Sequence, residues 1–216
     1  MSYKYGTYAQ REEIIYYCKE SVRVGLNFNT QGNISIRLPE DEAILITPSG
    51  VRYDVLRPDQ IVTVGYDGKV LAGDEFPSTE TDVHLAQYEA RPDVNAIVHT
   101  ESTFVNVLGT LDKPIEPVLL NMVLYAKGTV PIMPFEFSTN RAFGEKQAAV
   151  MGKDVNAVCW QDHGLFAVGE DLPGAFKVAV AVEENAEVYY RALLLGQKPK
   201  VIQLSDVKIP EGARLP

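Results

Sequence analysis

Two of the three histidines in the 216-residue chain follow short apolar runs, where a strand could present metal ligands to a cleft. Residues 96–98 precede His99, and residues 157–160 lie just before His163. Because side chains alternate along a strand, His99 and Glu101 would share one face and could contact one ion together. With His163 they would supply two imidazoles and one carboxylate and leave coordination positions open for a substrate. The His-x-Glu spacing alone, however, is more typical of structural histidines.

Composition restricts the class of protein. Hydrophobic residues make up 46% of the chain and charged residues 23%, values typical of a globular domain with a sizeable core. The net charge of −9 would repel a phosphate backbone, so we expect no nucleic-acid partner. The first residues lack the apolar stretch of a signal peptide, and no segment has the roughly 18 consecutive apolar residues of a membrane span. With Cys18 and Cys159 interpreted as buried, reduced thiols, we expect a cytoplasmic protein that does not bind membranes.

Apolar periodicity predicts the elements that would position the histidines. Helices are predicted at residues 9–26, 79–90, 141–151 and 171–195. Strands are predicted at residues 34–38, 43–47, 61–64, 69–72, 95–99, 130–133, 157–160 and 165–168. Thr79 and Asp82 would form a capping box, and Asp171 would be the N-cap of the last helix. This order predicts an α/β (α+β) fold whose central mixed, mainly antiparallel sheet is flanked by helices. We expect one domain over residues 1–216, with residues 197–216 as an extended C-terminal tail.

Five short motifs surround the candidate ligands in a fixed order. They are Gly32-Asn33-Ile34-Ser35, Ile46-Thr47-Pro48-Ser49-Gly50, Pro77-Ser78-Thr79-Glu80, Asp93-Val94-Asn95-Ala96-Ile97-Val98-His99-Thr100 and Asp162-His163-Gly164-Leu165. Each motif is unspecific, but the ordered set resembles the class II aldolase and ribulose-phosphate 4-epimerase family over roughly residues 10–195. The resemblance implies a class II aldolase-like three-layer fold and a homotetramer with active sites at subunit interfaces.

The resemblance also implies a role for each matching residue. The family's metal ligands fall on His99, Glu101 and His163, and its acid/base falls on Glu80. The substrate phosphate is implied to lie among Gly32, Asn33, Ser49, Gly50, Ser78 and Thr79. Glycines let backbone N–H groups approach phosphate oxygens, and hydroxyl groups add donors without bulk. The two hydroxyls before Glu80 also fall at a predicted helix start, where unpaired amides favour an anion.

The implied activity is that of a metal-dependent aldolase. Such an enzyme would reversibly cleave a ketose 1-phosphate of the L-fuculose 1-phosphate type to dihydroxyacetone phosphate and a small aldehyde. The cleavage leaves negative charge on carbon and oxygen, which a divalent ion, usually zinc in the family, stabilises while Glu80 moves the proton. Glu80 favours an aldolase over the related 4-epimerases, which carry Asp at that position. A dehydratase or decarboxylase of the same family is the alternative.

The sequence departs from the family pattern at Glu101, where a second histidine is expected. Glu101 is interpreted as a true ligand that widens the metal preference to manganese or cobalt, as a change that weakens metal binding, or as an engineered substitution. The second interpretation corresponds to a non-catalytic protein that keeps the phosphate pocket. The proton donor, a tyrosine of the adjacent subunit in the family, has no clear match, and Tyr125 and Asn121 are both candidates. His84 is expected to pack or form a hydrogen bond, without binding the metal.

Overall fold

The computed structural model describes residues 3–136 and 140–208 of the chain. Within these residues the helices are α1 (Tyr8–Arg23), α2 (Thr81–Ala90), α3 (Thr103–Gly109), α4 (Leu120–Ala126), α5 (Arg141–Met151) and α6 (Leu172–Leu194). The strands are β1 (Asn33–Leu38), β2 (Ala43–Ile46), β3 (Val62–Gly65), β4 (Val70–Ala72), β5 (Ala96–Thr100), β6 (Ile132–Met133), β7 (Ala157–Trp160) and β8 (Gly164–Gly169).

The eight strands of the described residues form one sheet in the order β4-β3-β2-β1-β5-β8-β7-β6. Each neighbouring pair is antiparallel except β6 and β7, which are parallel. The predicted mixed, mainly antiparallel sheet is therefore confirmed. The turn at Asp67-Gly68 connects β3 to β4 as the sequence indicates, and β7 and β8 form a hairpin.

Helices cover both faces of the sheet, and each face has its own apolar core. The first core joins α1, α3, α4 and α6 to one face, with Ile14, Leu108, Met122 and Val182 among its fully buried residues. The second core joins α2 and α5 to the other face. The predicted three-layer arrangement is confirmed, and burial of apolar side chains on both faces explains why the central strands are apolar throughout.

Strands β1, β5 and β8 lie side by side in the centre of the sheet and bring together residues that are far apart in sequence. Asn33 of β1 is opposite His99 of β5, and His99 is opposite Phe166 of β8. Since β5 is antiparallel to both neighbours, its carboxyl end meets the amino ends of β1 and β8 at one edge. Helix α2 packs on the face to which His99 belongs.

Several element boundaries differ from the predictions. Helix α1 ends at Arg23 rather than at residue 26, and α3 and α4 were not predicted. The capping box of Thr79 and Asp82 is wrong, because α2 begins at Thr81 with Glu80 as its N-cap and without a side-chain cap. The Glu80 carboxylate points instead at two histidines. Asp171 is the N-cap of α6, as predicted, and its side chain accepts a hydrogen bond from Gly174.

The predicted C-terminal tail is described as far as residue 208. In this part the Ile202 N–H donates to the Pro117 carbonyl, and Leu204–Asp206 form a single 3-10 turn. Residues 209–216 of the predicted tail lie outside the described residues. Among the described helices, none combines the length and the apolar character required to span a bilayer.

Candidate active site

Glu80 lies between two histidines at the edge where β5 ends. Its Oε2 atom is 3.4 Å from Nε2 of His99, and its Oε1 atom is 3.2 Å from Nε2 of His163. One ligand atom from each of the three residues lies within 4.8 Å of the other two. Glu80 and His99 are buried, and His163 is partly exposed. The structure thus brings together three of the four predicted metal-site and catalytic residues.

The hydrogen bond of His99 defines which of its ring nitrogens can bind a metal. Nδ1 lies 2.9 Å from the carbonyl oxygen of Leu165, and a carbonyl can only accept, so Nδ1 carries the proton. Nε2 then holds a lone pair, and it is buried without a hydrogen-bond partner. A lone pair aimed at a carboxylate oxygen in a buried site is stabilised by a cation between them. These residues therefore fit a divalent metal ion.

A tight turn between β7 and β8 carries His163 to the cluster. Asp162 adopts a left-handed conformation with φ of 58°. A Cβ atom on Gly164 would collide with the backbone of Thr100, so this position requires glycine. The rings of His99 and His163 are almost perpendicular, with their centroids 5.0 Å apart.

The pKa values reflect this close packing. Burial raises the pKa of Glu80, but its electrostatic interactions with His99 and His163 and its hydrogen bonds with His163 and Asn33 override it and lower the pKa to about 2. Burial lowers the pKa of His163, and the Glu80 carboxylate overrides that effect, so its pKa is raised. Burial dominates at His99 and lowers its pKa. Glu80 is therefore ionised at neutral pH, as a metal ligand must be.

Aromatic side chains form the apolar wall behind the cluster. The Trp160 ring lies 4.6 Å from the His99 ring and 5.1 Å from the His163 ring, and it stacks on Phe166. Its indole N–H donates to Gln147 at 2.6 Å. This wall excludes water from one side of the histidines and strengthens the electrostatic interactions within the cluster.

A polar cavity of about 110 Å³ opens beside the cluster. Its lining comprises Thr30, Gly32, Asn33, Pro48, Ser49, Gly50, Ser78, Thr79, Glu80, His99 and Glu101. The structure thus places all six residues predicted for phosphate binding around one space. None of these lining residues, which all belong to the described part of the chain, is Lys or Arg. An anion in the cavity would meet neutral donors, the carboxylates of Glu80 and Glu101, and whatever cation the cluster holds.

Two loops form most of the cavity, and backbone pairing joins them. Pro48 and Pro77 form an isolated antiparallel bridge, with Ser49 N–H donating to Phe76 and Ser78 N–H donating to Thr47. Because these two amides are used within the loops, the serines can offer only their hydroxyl groups to a ligand. Hydroxyl donors are what the sequence predicts for these serines, whereas the unpaired amide expected at the helix start is not available at Ser78.

Gly32 is required by the space around it as well as by its backbone conformation. Its φ is +72°, and a Cβ atom there would come within 2.5 Å of the Asn27 side chain and of the His99 carbonyl. Asn27 is fully buried and also accepts a hydrogen bond from the Glu101 N–H at 2.9 Å. In the sequence, only its place in the polar stretch after the first helix distinguishes Asn27.

Glu101 follows the last residue of β5 and lies outside the group of three converging ligands. It is partly exposed and lines the cavity, and its negative charge raises the pKa of both His99 and His163. It is therefore close enough to act electrostatically on the cluster. Its carboxylate would have to turn towards the cluster to become a ligand.

Three further residues considered from the sequence have defined positions. His84 is fully buried and hydrogen-bonded to Ser35 and Asn33 through its two ring nitrogens. Tyr125 lines a separate cavity with Asp93 and Gly169, at the opposite ends of β5 and β8. Asn121 is exposed on α4. Within a single chain, neither candidate for the proton donor lines the cavity beside Glu80.

Comparison with known proteins agrees with this fold. The sequence profile of the Class II Aldolase and Adducin N-terminal domain matches residues 12–190. A 5-deoxy-D-ribulose 1-phosphate aldolase of Bacillus thuringiensis serovar kurstaki is 36% identical, with 92% of each chain covered. An L-fuculose phosphate aldolase of Escherichia coli K12 is 33% identical over 91% of this chain and 90% of that protein. A solved L-fuculose 1-phosphate aldolase superposes with a TM-score of 0.87 at 30% identity, covering 94% of both chains.

The chain belongs to the class II aldolase family of enzymes. This family uses a divalent metal, for which the cluster of Glu80, His99 and His163 offers a site.

Proposed function

We propose that the protein is a metal-dependent aldolase that reversibly cleaves a ketose 1-phosphate to dihydroxyacetone phosphate and a small aldehyde. The observation that carries this proposal is the position of Glu80, which faces both histidines and also lines the cavity with all six phosphate-binding candidates. The two similar enzymes named above act, by their names, on 5-deoxy-D-ribulose 1-phosphate and L-fuculose phosphate. Substrates of the L-fuculose 1-phosphate type are accordingly the first to test.

The proposed metal ligands are His99, His163 and Glu101, with Glu80 at the ion when no substrate is bound. The unpartnered Nε2 of His99 and the short distances to Glu80 support this arrangement. A divalent cation held there would act as a Lewis acid on the carbonyl and hydroxyl oxygens of the substrate. Zinc suits the imidazoles, and a carboxylate ligand makes the site harder, so that manganese and cobalt also become suitable.

The proposed phosphate site is the part of the cavity that Gly32, Asn33, Ser49, Gly50, Ser78 and Thr79 surround. The hydroxyl groups can donate to phosphate oxygens, and Gly50 is exposed, with open space where a Cβ atom would lie. A phosphate at this position would direct the carbon chain of the sugar towards Glu80.

Glu80 is the proposed acid/base. In the cleavage direction the C4 hydroxyl gives its proton to a base, and the bond between C3 and C4 breaks as C4 becomes the aldehyde carbon. The electron pair of that bond stays on C3, and the carboxylic acid form of Glu80 supplies one proton to C3, so the reaction neither consumes nor releases protons overall. Once Glu80 leaves the neighbourhood of the histidines, the causes that hold its pKa at about 2 are removed. Its pKa then returns towards the ordinary range, where a carboxyl group can exchange a proton during turnover.

We also propose one domain over residues 1–216, a cytoplasmic location and a homotetramer with active sites at subunit interfaces. An apolar depression beside the site supports an interface there, because Phe28 and Leu111 are about half exposed next to Glu101. A second subunit covering this surface would remove apolar area from water and could bring the missing proton donor.

A second candidate function is a non-catalytic protein that binds phosphorylated ligands. The residue that favours this candidate is Glu101, which replaces an expected histidine and lies outside the converging ligand group. If the protein is an enzyme of another type, the alternative is an epimerase, dehydratase or decarboxylase of the same family.

Assays of aldol cleavage decide between these functions. The purified protein, loaded with zinc, manganese or cobalt, is incubated with L-fuculose 1-phosphate and with 5-deoxy-D-ribulose 1-phosphate, and dihydroxyacetone phosphate is measured. We expect cleavage of at least one substrate and loss of turnover in Glu80→Gln with metal retained. Thermal stabilisation by both sugars without any product would reject the aldolase and support the binding protein.

Substitutions of Glu101 test its proposed role as a ligand. Glu101→Ala should lower metal occupancy after dialysis, whereas Glu101→His should retain the ion and shift the preference towards zinc. Full occupancy in Glu101→Ala, measured by elemental analysis, would show that Glu101 is not a ligand.

A further inference from the structure

A chain of hydrogen bonds through buried side chains leads from Tyr88 to the Glu80 carboxylate. The Tyr88 hydroxyl lies 2.8 Å from Ser35 Oγ, which is 2.7 Å from Nδ1 of His84. Nε2 of His84 is 2.6 Å from Oδ1 of Asn33, and Nδ2 of Asn33 is 2.7 Å from Oε2 of Glu80. Tyr88, Ser35 and His84 are fully buried, and Asn33 and Glu80 are each 6% exposed.

The direction of each hydrogen bond follows from the groups involved. The ionised Glu80 carboxylate can only accept, so Nδ2 of Asn33 faces it and Oδ1 of Asn33 faces His84; because Oδ1 also only accepts, Nε2 of His84 carries the proton. Burial lowers the pKa of His84 to about 3, which keeps the imidazole neutral and leaves a lone pair on Nδ1. The Ser35 hydroxyl therefore donates to Nδ1 and accepts from Tyr88. All four protons of the chain point towards Glu80.

This direction matters because the amide of Asn33 has two orientations of nearly equal shape. In one, Nδ2 donates to Glu80 and Oδ1 accepts from His84. In the other, Oδ1 would face the carboxylate, and Nδ2 would face the proton on Nε2 of His84. Both contacts would then be repulsive. A His84 ring with its proton on Nε2 allows only the first orientation.

We propose that His84 is a positioning residue, whose Nε2–H orients the Asn33 amide so that Asn33 holds Glu80 between His99 and His163. Helix α2 supports this role because Glu80 and His84 are four residues apart and share one helix face. The helix thus supplies both the carboxylate and the group that controls its orientation. Asn33 is neutral, so it directs the carboxylate without the strong attraction of an Arg or Lys partner, and Glu80 stays free to leave the ion.

Two amide substitutions of His84 separate positioning from simple filling of space. The Gln side chain can place an N–H near the position of Nε2, whereas the shorter Asn side chain reaches only the position of Nδ1. Both are neutral and polar. We expect His84→Gln to bind Co²⁺ within about 3-fold of the wild-type affinity, and His84→Asn to bind it about 10–100-fold more weakly. In cleavage assays, His84→Asn should have a lower kcat with little change in KM.

A measurement on wild-type protein tests the proposal even if the variants do not fold. In metal-free protein labelled with ¹⁵N-histidine, the His84 signals, assigned by their absence in His84→Gln, should show a neutral ring protonated at Nε2 across pH 5–8. A ring protonated at Nδ1, or an imidazolium, would overturn the proposal. Equal Co²⁺ affinity and equal kcat in the folded Gln and Asn variants would also overturn it.

The kinetic part of this inference rests on the proposed aldolase function. Different results would reject the aldolase function and the positioning role of His84. If wild-type protein cleaves no ketose 1-phosphate, the aldolase proposal fails, while the Co²⁺ titrations and the ¹⁵N spectra still test the role of His84. If wild-type protein is an active aldolase and the two amide variants behave alike, the positioning role alone fails.

Discussion

Nε2 of His99 lies 3.4 Å from Oε2 of Glu80, and it is buried without a hydrogen-bond partner. Since Nδ1 of the same ring donates to Leu165, a lone pair on Nε2 meets a carboxylate oxygen. Without a cation or a proton between them, these two atoms repel each other. The folded, metal-free protein therefore already favours binding of a divalent ion between these two atoms.

Divalent cations are therefore expected to stabilise the folded protein. At a free metal concentration of 100 times Kd, binding should add about 2.7 kcal/mol to the free energy of unfolding. The measurement is thermal unfolding of EDTA-treated protein with and without Zn²⁺ or Co²⁺. His99→Gln should lose most of the increase in Tm. An increase of the same size in this variant would contradict binding at the cluster.

The stability of the metal-free protein should depend on pH through His163. Its folded pKa lies above the unfolded value of 6.5, so its stabilising contribution is present below that value and is lost as pH rises through the folded pKa. The pKa of Glu80 is lowered from 4.5 to about 2, so its contribution is present above 4.5 and is lost as pH falls towards 2.

The ion pair should accordingly stabilise the metal-free protein most at about pH 5–6. Urea unfolding at pH 5.5 and pH 8 measures the difference, and His163→Asn is the control that should reduce it. Metal affinity should follow the opposite trend and rise with pH, because a protonated imidazole cannot bind the ion. An affinity that is constant from pH 5.5 to pH 8 would contradict this assignment.

Two glycines with almost the same φ should respond differently to substitution. Gly32 and Gly50 have φ of +72° and +71°, but only Gly32 lacks room for a Cβ atom. Gly50→Ala should cost about 1–2 kcal/mol of unfolding free energy from backbone strain alone. Gly32→Ala should cost clearly more, because Asn27 or the His99 backbone must move. Equal losses in urea unfolding would show that the contact is unimportant.

The single tryptophan should report metal binding directly. Trp160 lies 4.6 Å from the His99 ring and 5.1 Å from the His163 ring. A cobalt ion at the cluster should quench its fluorescence, whereas Zn²⁺, with a filled d shell, should change it much less. Titration at 25 °C gives the affinity, and a His99→Gln, His163→Asn double variant is the control. Equal quenching in the double variant would indicate binding elsewhere.

The strands and the long helices could be predicted from the sequence because their buried residues form continuous apolar runs or recur at helical spacing. In β5 and β7 every residue is buried, and both were predicted from their apolar runs. Helices α3 and α4 were not predicted, since each has seven residues and too few turns for a helical period to emerge.

The candidate site was predicted in part. His99, His163 and Glu80 were selected from motif order, and the structure brings them together. That Glu101 shares their ion stays a prediction. Strand β5 ends at Thr100, so the alternation of side chains along a strand does not extend to Glu101. The partners of His84 lie 49 and 51 residues away, and local sequence carries no information about such pairs.

Among the described residues that line the cavity there is no Lys or Arg, and this absence couples the binding of the substrate phosphate to the binding of the metal ion. The chain has a net charge of −9, and the carboxylates of Glu80 and Glu101 also line the cavity. On the proposed function, the phosphate of the substrate must therefore rely on neutral donors and on the positive charge that the ion brings. Each ligand should then raise the affinity of the protein for the other by the same factor. Without its ion the enzyme would be inactive and would also bind sugar phosphate weakly. In a cell short of the metal, inactive enzyme would therefore not sequester the substrate.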